Sequence, residues 1–221
     1  MPATGLPYGS PAYWDARYAA QTDAAFDADE WYGRAGVEAV LGAVAALGLA
    51  PGSAALEVGC GGGRLADTLA AAASLALTAT DISPTAIDRR RARGAAGAVV
   101  WRVADAAALP FASGSFALVI DKGTCDALDC DDGDGGGSDG GAGDGPSTSA
   151  AAALAEAARV LARDPPGTLV LASCRDPAAR APLLAGLFRT AAVAEVWAEG
   201  EPGRARPPCP EAYVYTLVPL G

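Results

Sequence analysis

Apolar runs alternate with alanine-rich stretches along most of the chain from residue 33 onward. Short apolar runs of this kind are typical of strands that are buried on both faces of a sheet, and the stretches between them have helical character. The predicted strands are 54–60, 75–82, 98–105, 116–123, 167–174, 192–200 and 211–220. The predicted helices between them are 63–73, 84–93, 151–164 and 177–188.

Strands that alternate with helices predict an α/β fold, in which a mostly parallel sheet carries helices on both faces. The last two of the seven predicted strands are joined by 201–210 without a helix, which predicts one antiparallel strand near the C-terminus. At 221 residues the chain suits one domain, 1–221. The Gly- and Asp-rich segment 129–149 buries too little apolar surface to offset its ordering entropy, so we interpret it as a flexible low-complexity loop.

The composition narrows the possible functions. The formal charge of −10 argues against nucleic-acid binding. Because the chain has no histidine and its five cysteines lack C-x-x-C pairing, we expect free thiols in a reducing compartment and no metal site. No apolar run is long enough to cross a membrane, and the N-terminus has no basic region followed by an apolar one. We therefore expect a cytoplasmic protein without membrane contact.

A glycine-rich turn follows the first predicted strand in the string "LEVGCGGGRL", which contains Glu57, Gly59 and Gly61. Glycines between a strand and a helix let a ligand approach the backbone closely. A dinucleotide fingerprint requires a glycine where this chain has Arg64. The turn fits an S-adenosylmethionine loop better, with Glu57 near the amino-acid end of that ligand. The alternative is a purely structural strand-to-helix turn.

Carboxylates follow the next two predicted strands. Asp81 ends the second strand and Asp105 ends the third. A carboxylate at the first position can accept both ribose hydroxyls, and one at the second can accept the adenine amino group. Either residue alone has the alternative role of helix cap or turn residue. Because ligands gather at the carboxyl ends of parallel strands, the combination indicates a nucleoside site.

The fourth predicted strand ends in Asp121 and Lys122, and Lys122 is the only lysine in the chain. We expect this strand to end beside the first, so that both side chains lie at the same rim. The alternative for Lys122 is a solvated surface charge.

Several longer strings carry a family resemblance. They are "YWDARY" (13–18), "WY" (31–32), "LEVGCGGGRL", "TDIS" and "LPFASGSFALVIDKGTCDAL" (109–128). Together they resemble the eukaryotic elongation factor 1-alpha lysine methyltransferases, including the related dual enzyme that methylates a lysine and the N-terminus of that factor. The resemblance covers roughly residues 13–128. It implies a class I, Rossmann-like methyltransferase fold with S-adenosyl-L-methionine as cofactor.

The resemblance also implies residue roles. Aromatic rings close over the cofactor, and a sulfonium cation suits the π face of such rings, although ordinary packing is the alternative for them. The aromatic residues are Trp14, Tyr18 and Trp31. The remaining implied contacts are Gly59 through its backbone, Asp81 and Ile82 at ribose and adenine, Asp105 and Ala106 at adenine, and Lys122 from the fourth strand.

The predicted reaction is methyl transfer to a protein lysine, with elongation factor 1-alpha as the expected kind of partner. The acceptor amine must lose a proton, and Asp121 is the candidate that takes it, with water as the alternative. Two other functions stay open, namely a methyltransferase acting on small molecules and a non-catalytic scaffold that binds the cofactor. We expect a monomer.

Overall fold

The computed structural model describes residues 8–93, 99–130, 147–197 and 210–220. The strands within these ranges are Ala54–Val58 (β1), Ala76–Asp81 (β2), Val99–Val103 (β3), Leu118–Lys122 (β4), Thr168–Ser173 (β5), Phe188–Val196 (β6) and Ala212–Pro219 (β7). They form one sheet in the order β3-β2-β1-β4-β5-β7-β6. β7 runs antiparallel to both of its neighbours, whereas the pairs among β1 to β5 are parallel. The predicted fold class and the single antiparallel strand are confirmed.

Helices cover both faces of the sheet. Those within the described residues are Pro11–Ala20 (α1), Asp23–Asp27 (α2), Gly33–Ala46 (α3), Leu65–Ala73 (α4), Pro84–Arg93 (α5), Thr124–Asp129 (α6), Thr148–Val160 (α7) and Pro177–Leu184 (α8). Several begin at a polar side chain that accepts a backbone N–H of the first turn, which satisfies a donor that the helix itself leaves unpaired. These capping residues are Ser10, Thr22, Ser147 and Asp176. None of the helices in the described ranges has the length and hydropathy that crossing a membrane requires.

The two faces of the central strands bury separate apolar layers. In β4, Leu118 and Ile120 belong to the layer that α3 and α4 cover, whereas Val119 belongs to the layer under α7 and α8. All three side chains are fully buried, and each such side chain contributes about 1.5–3 kcal/mol relative to an exposed one. The same alternation between the two faces determines the direction of the side chains near the strand ends.

The N-terminal helices, which the hydrophobic pattern did not predict, lie across the carboxyl edge of the sheet near α5. Asp15 of α1 accepts hydrogen bonds from Ser83 Oγ at 2.7 Å and from Thr85 N at 2.9 Å. Arg89 of α5 pairs with Asp23 of α2 at 2.8 Å. These contacts hold α1 and α2 over the ends of the central strands.

Several predicted boundaries differ from the structure, and the strand predicted at 192–200 begins four residues earlier, at Phe188. The helix predicted at 177–188 ends at Leu184, and Phe188 instead begins β6, because Gly186 between them has a φ of +78° that a helix cannot continue. The helix predicted at 151–164 runs from Thr148 to Val160.

The ends of the predicted loop 129–149 belong to helices. Asp129 ends α6, and Ser147 caps α7. Arg180 Nη1 donates to Asp129 Oδ2 at 2.7 Å, which fixes that end of the segment. Residues 131–146, on which the rest of the loop prediction falls, lie outside the described residues.

Candidate functional site

A cavity of about 730 Å³, which includes its open mouth, lies at the carboxyl ends of β1 to β4. Ten of the residues singled out from the sequence line it, namely Trp14, Tyr18, Trp31, Gly59, Gly61, Asp81, Ile82, Asp105, Ala106 and Lys122. The sheet therefore brings together residues that lie up to 108 positions apart, from 14 to 122.

The glycine turn after β1 needs its glycines for conformation and for space. Gly59 has a φ of +64° and Gly61 a φ of +51°, in the left-handed region that side chains disfavour. A Cβ on Gly61 would lie 2.7 Å from the hydroxyl oxygen of Tyr18, which closes the cavity from α1. The turn and the aromatic cover are thus in direct contact.

Asp81 is buried at the end of β2 and braces the turn. Its Oδ2 accepts the N–H of Gly61 at 2.8 Å, and its Oδ1 accepts the N–H of Ser83 at 2.9 Å. Burial raises the pKa of this carboxyl to about 6, although the backbone N–H donors oppose the shift. A carboxylate has about four acceptor positions, which leaves capacity for a ligand hydroxyl.

Asp105 lies at the β3 end of the cavity, beside Ala106 and Ile82. It is exposed, and its Oδ1 accepts the N–H of Ala107 at 2.8 Å, which forms a tight turn. The turn role considered for Asp105 is therefore real, and its second oxygen stays available. The cavity extends along the edge of the sheet from β3, past β2 and the turn after β1, to β4, which is the order of these strands in the sheet.

Lys122 is not a solvated surface charge, because only 8% of its side chain is exposed. Its ammonium pairs with Glu30 and lies 3.4 Å from the carbonyl oxygen of Trp31. The other oxygen of Glu30 accepts the N–H of Arg64 at 3.2 Å, at the start of α4. The only lysine therefore links the end of β4 to the segment that carries Trp31 and to the glycine turn.

Glu57 and Asp121, which were also predicted at the site, do not line the cavity. Glu57 lies two positions after Ala55 in β1, so its side chain is on the same face of the sheet and points into the α3–α4 layer, where it is only 2% exposed. Burial raises its pKa to about 8, and its Oε2 has no hydrogen-bond partner among the described residues.

Asp121 lies two positions after Val119 in β4, so its side chain is on the other face of the sheet, toward the layer under α7 and α8. Its carboxylate accepts the N–H of Thr124 at 2.9 Å and of Cys125 at 3.0 Å, so it holds the first turn of α6. Burial raises its pKa to about 7. Its position does not support the predicted role of proton acceptor, because both oxygens are buried in a backbone contact.

Asp126, in the same string "DKGTCDAL", joins three parts of the fold rather than facing the cavity. It accepts hydrogen bonds from Ser173 Oγ at 2.6 Å and from Cys174 N at 2.7 Å, at the end of β5. It also contacts the Tyr32 hydroxyl and the buried guanidinium of Arg180. The string therefore contains residues that hold the fold together, such as Asp126, as well as residues that line the cavity, such as Lys122.

An aromatic wall faces the glycine turn. The rings of Tyr8 and Trp14 stack at 5.3 Å between centroids, and those of Trp14 and Tyr18 stack at 5.8 Å. Trp31 lies 6.0 Å from Trp14. Such a wall suits a cationic ligand, because the ring faces carry negative potential.

The sequence reasoning missed several cavity residues. Among them are Tyr8, Asp29, Thr124 and Leu128. Tyr8 lies in an aromatic-rich N-terminal string, and Asp29 lies in an acidic run directly before the aromatic pair "WY", so both carried a signal. Leu128 carried none, because an apolar residue in a helix has the same pattern whether it faces the core or a cavity.

Comparison with known proteins agrees with this geometry. Residues 55–134 match the family model described as a methyltransferase domain. The N-methyltransferase NodS from Bradyrhizobium japonicum WM9, solved with S-adenosyl-L-homocysteine, has a TM-score of 0.66 at 19% identity, over 96% of this chain and 97% of that one. Residues 55–134 therefore match a methyltransferase domain, and the chain shares the fold of that solved methyltransferase.

The chain also resembles particular methyltransferases in sequence. It is 33% identical over 129 residues to EEF1A lysine methyltransferase 4 of Mus musculus, which is 58% of this chain and 49% of that protein. It is 32% identical over 130 residues to the eEF1A lysine and N-terminal methyltransferase of Danio rerio, which is 58% of this chain and 18% of that protein. The chain therefore spans at most about half the length of these relatives.

The residues present fit S-adenosyl-L-methionine as the cofactor. The turn has the close backbone approach that such a ligand needs, and a Cβ at Gly59 would collide with Thr124. The buried carboxyl group of Asp81 lines the cavity with acceptor capacity left over. The aromatic wall suits the sulfonium.

Proposed function

We propose that this protein transfers a methyl group from S-adenosylmethionine to a lysine side chain of a protein, with elongation factor 1-alpha as the model substrate. The observation that carries the proposal is the cavity itself, where a glycine turn, two strand-end carboxylates and an aromatic wall meet at one rim. The sequence similarity to EEF1A lysine methyltransferase 4 supports the choice of substrate class.

In this proposal seven of the cavity residues hold or enclose the cofactor. Asp81 accepts the ribose hydroxyls, and Asp105 with Ala106 binds the adenine at the β3 end. The backbone of Gly59 contacts the amino-acid portion. The rings of Trp14, Tyr18 and Trp31 close the site and exclude water, which strengthens the electrostatic contacts inside it.

The cofactor, when bound, supplies a methyl group on a sulfonium, which is already an activated leaving group. The chain's own contribution is alignment of the acceptor amine with that group and exclusion of competing water. With the cofactor bound, the acceptor amine would take up the methyl group and would release one proton. Because Asp121 is committed to α6, we assign that proton to water rather than to this carboxylate.

The experiment is transfer of a radiolabelled methyl group in a eukaryotic lysate and to purified elongation factor 1-alpha, followed by mass spectrometry of the labelled peptides. Label on a protein lysine is the expected result. Label in the small-molecule fraction would identify a small-molecule methyltransferase instead, and no label would leave a non-catalytic binding domain. The Asp81→Asn variant is the control, since it removes a carboxylate that lines the cavity and should lower the transfer of label.

A further inference from the structure

Asp29, between α2 and α3, presents a fixed carboxylate to the cavity. Arg17 Nη2 donates to both of its oxygens at 3.0 Å, and Gln21 Nε2 donates to its Oδ2 at 2.9 Å. Only 13% of the side chain is exposed. Because a carboxylate has about four acceptor positions, these contacts orient Asp29 without saturating it.

The position of Asp29 along the rim is set by the segment that contains it. A Cβ on Gly62 would lie 3.0 Å from the Phe26 ring, and a Cβ on Gly63 would lie 3.0 Å from the Glu30 carboxylate. Phe26 and Glu30 flank Asp29, so the segment crosses the glycine turn after β1. The adenine end of the cavity, at Asp105, lies two strands away.

A ligand that has adenine at the β3 end and ribose at Asp81 therefore extends its third part toward Asp29 and Lys122. Lys122 is already paired with Glu30. Among the described residues that line the cavity, the carboxylates are Asp29, Asp81 and Asp105, and Asp29 is the one at this end. A fixed carboxylate that retains acceptor capacity is suited to an ammonium group.

Resting on the proposed function, we propose that Asp29 binds the α-ammonium of the cofactor's methionine portion. Arg17 and Gln21 then act as positioning residues, because they hold the carboxylate that makes the contact. The assignment explains why an Arg–Asp pair is built into the wall of a cofactor cavity rather than at the surface.

The test is calorimetric titration of two ligands that differ in this portion. S-adenosyl-L-homocysteine carries the amino-acid tail, and 5′-methylthioadenosine keeps the adenosine and the thioether but lacks the tail. In Asp29→Asn the affinity for S-adenosylhomocysteine should fall by about 10-fold or more, as for loss of a charged hydrogen bond. The affinity for methylthioadenosine should stay within about twofold, since the neutral amide touches nothing that this ligand contains.

Asp27→Asn is the matched control. It makes the same change two residues away, where the carboxylate is 41% exposed and pairs with Arg93 instead of facing the cavity. Both affinities should stay unchanged in this variant. Melting curves of all variants check that they are folded.

A change in the ligand removes any dependence on folding of the variant. An S-adenosylhomocysteine analogue with hydrogen in place of the amine should bind the wild-type protein about 10-fold or more weakly. If Asp29→Asn lowers the affinity for both ligands equally, or if the wild type binds the deaminated analogue with full affinity, the assignment of Asp29 is wrong. Neither result would contradict the proposed function. Failure of the wild type to bind S-adenosylhomocysteine at all would overturn the proposed function together with it.

Discussion

Replacing Lys122 by methionine should destabilise the protein substantially. The change leaves the Glu30 carboxylate, of which 20% is exposed, without its cation, whereas Lys122 itself is 8% exposed. Removing one partner of a fully buried ion pair costs about 3–5 kcal/mol. Because water reaches part of Glu30, we expect a loss of about 2–3 kcal/mol in the free energy of unfolding. For a chain of this size the loss corresponds to a fall in Tm of roughly 5–10 °C.

The assay is urea unfolding of the wild type, Lys122→Met, Glu30→Gln and the double variant. If the pair is the cause, Glu30→Gln added to Lys122→Met should recover about 1 kcal/mol or more, because it removes the unpaired charge. Glu38→Gln is the control, since it breaks the Arg34–Glu38 pair on α3, whose side chains are 75% and 60% exposed. That change should stay within about ±0.5 kcal/mol.

The same pair should affect ligand binding, because Lys122 also holds the Trp31 carbonyl at the cavity wall. We expect Lys122→Met to weaken S-adenosylhomocysteine binding at temperatures well below its Tm. Unchanged stability in Lys122→Met, or no recovery in the double variant, would refute the assignment of Lys122 to a buried ion pair that holds the cover in place.

Three further changes test the turn and its surroundings. Asp81→Asn should lower both the affinity for S-adenosylhomocysteine, measured by calorimetry, and the Tm, since an amide satisfies only one of the two N–H groups of Gly61 and Ser83 well. Wild-type values of both quantities would exclude a role of Asp81 in the binding site and in the turn. Gly61→Ala should abolish binding and lower Tm, because its φ is +51° and the new Cβ meets Tyr18; a variant that binds normally would show that the turn relaxes. Burial raises the pKa of Glu57 from 4.5 to about 8. The folded state therefore holds that proton more tightly, and stability is lost as the pH rises from about 5 to 8. Glu57→Gln should make this loss smaller in urea unfolding across that range, and an identical pH profile would contradict the buried, protonated state.

The residues of the cavity rim were readable in the sequence because each is tied to the end of a strand. The parallel strands in the order β3-β2-β1-β4 place their ends side by side, so Gly59, Asp81, Asp105 and Lys122 had to meet once the strands were recognised. The helices α1 and α2 were not predicted as elements, although their aromatic strings were recognised by resemblance. Their short, mixed sequences have little periodicity, and they are held by contacts with α5 that lie about 70 residues away in sequence.

The sequence by itself determined the α/β alternation, the glycine turn and the strand-end carboxylates, because each depends on local pattern and on backbone conformation. Only the tertiary structure decided what the neighbouring charged residues do. Glu57 and Asp121 lie within two positions of cavity residues in sequence, but the alternation of side chains along a strand turns them into the two apolar layers. Lys122 finds Glu30 across 92 positions, and Asp29 reaches the cavity because its segment crosses the turn. A charge at a strand end acquires its role from the element packed against it, and that packing is set by the whole fold.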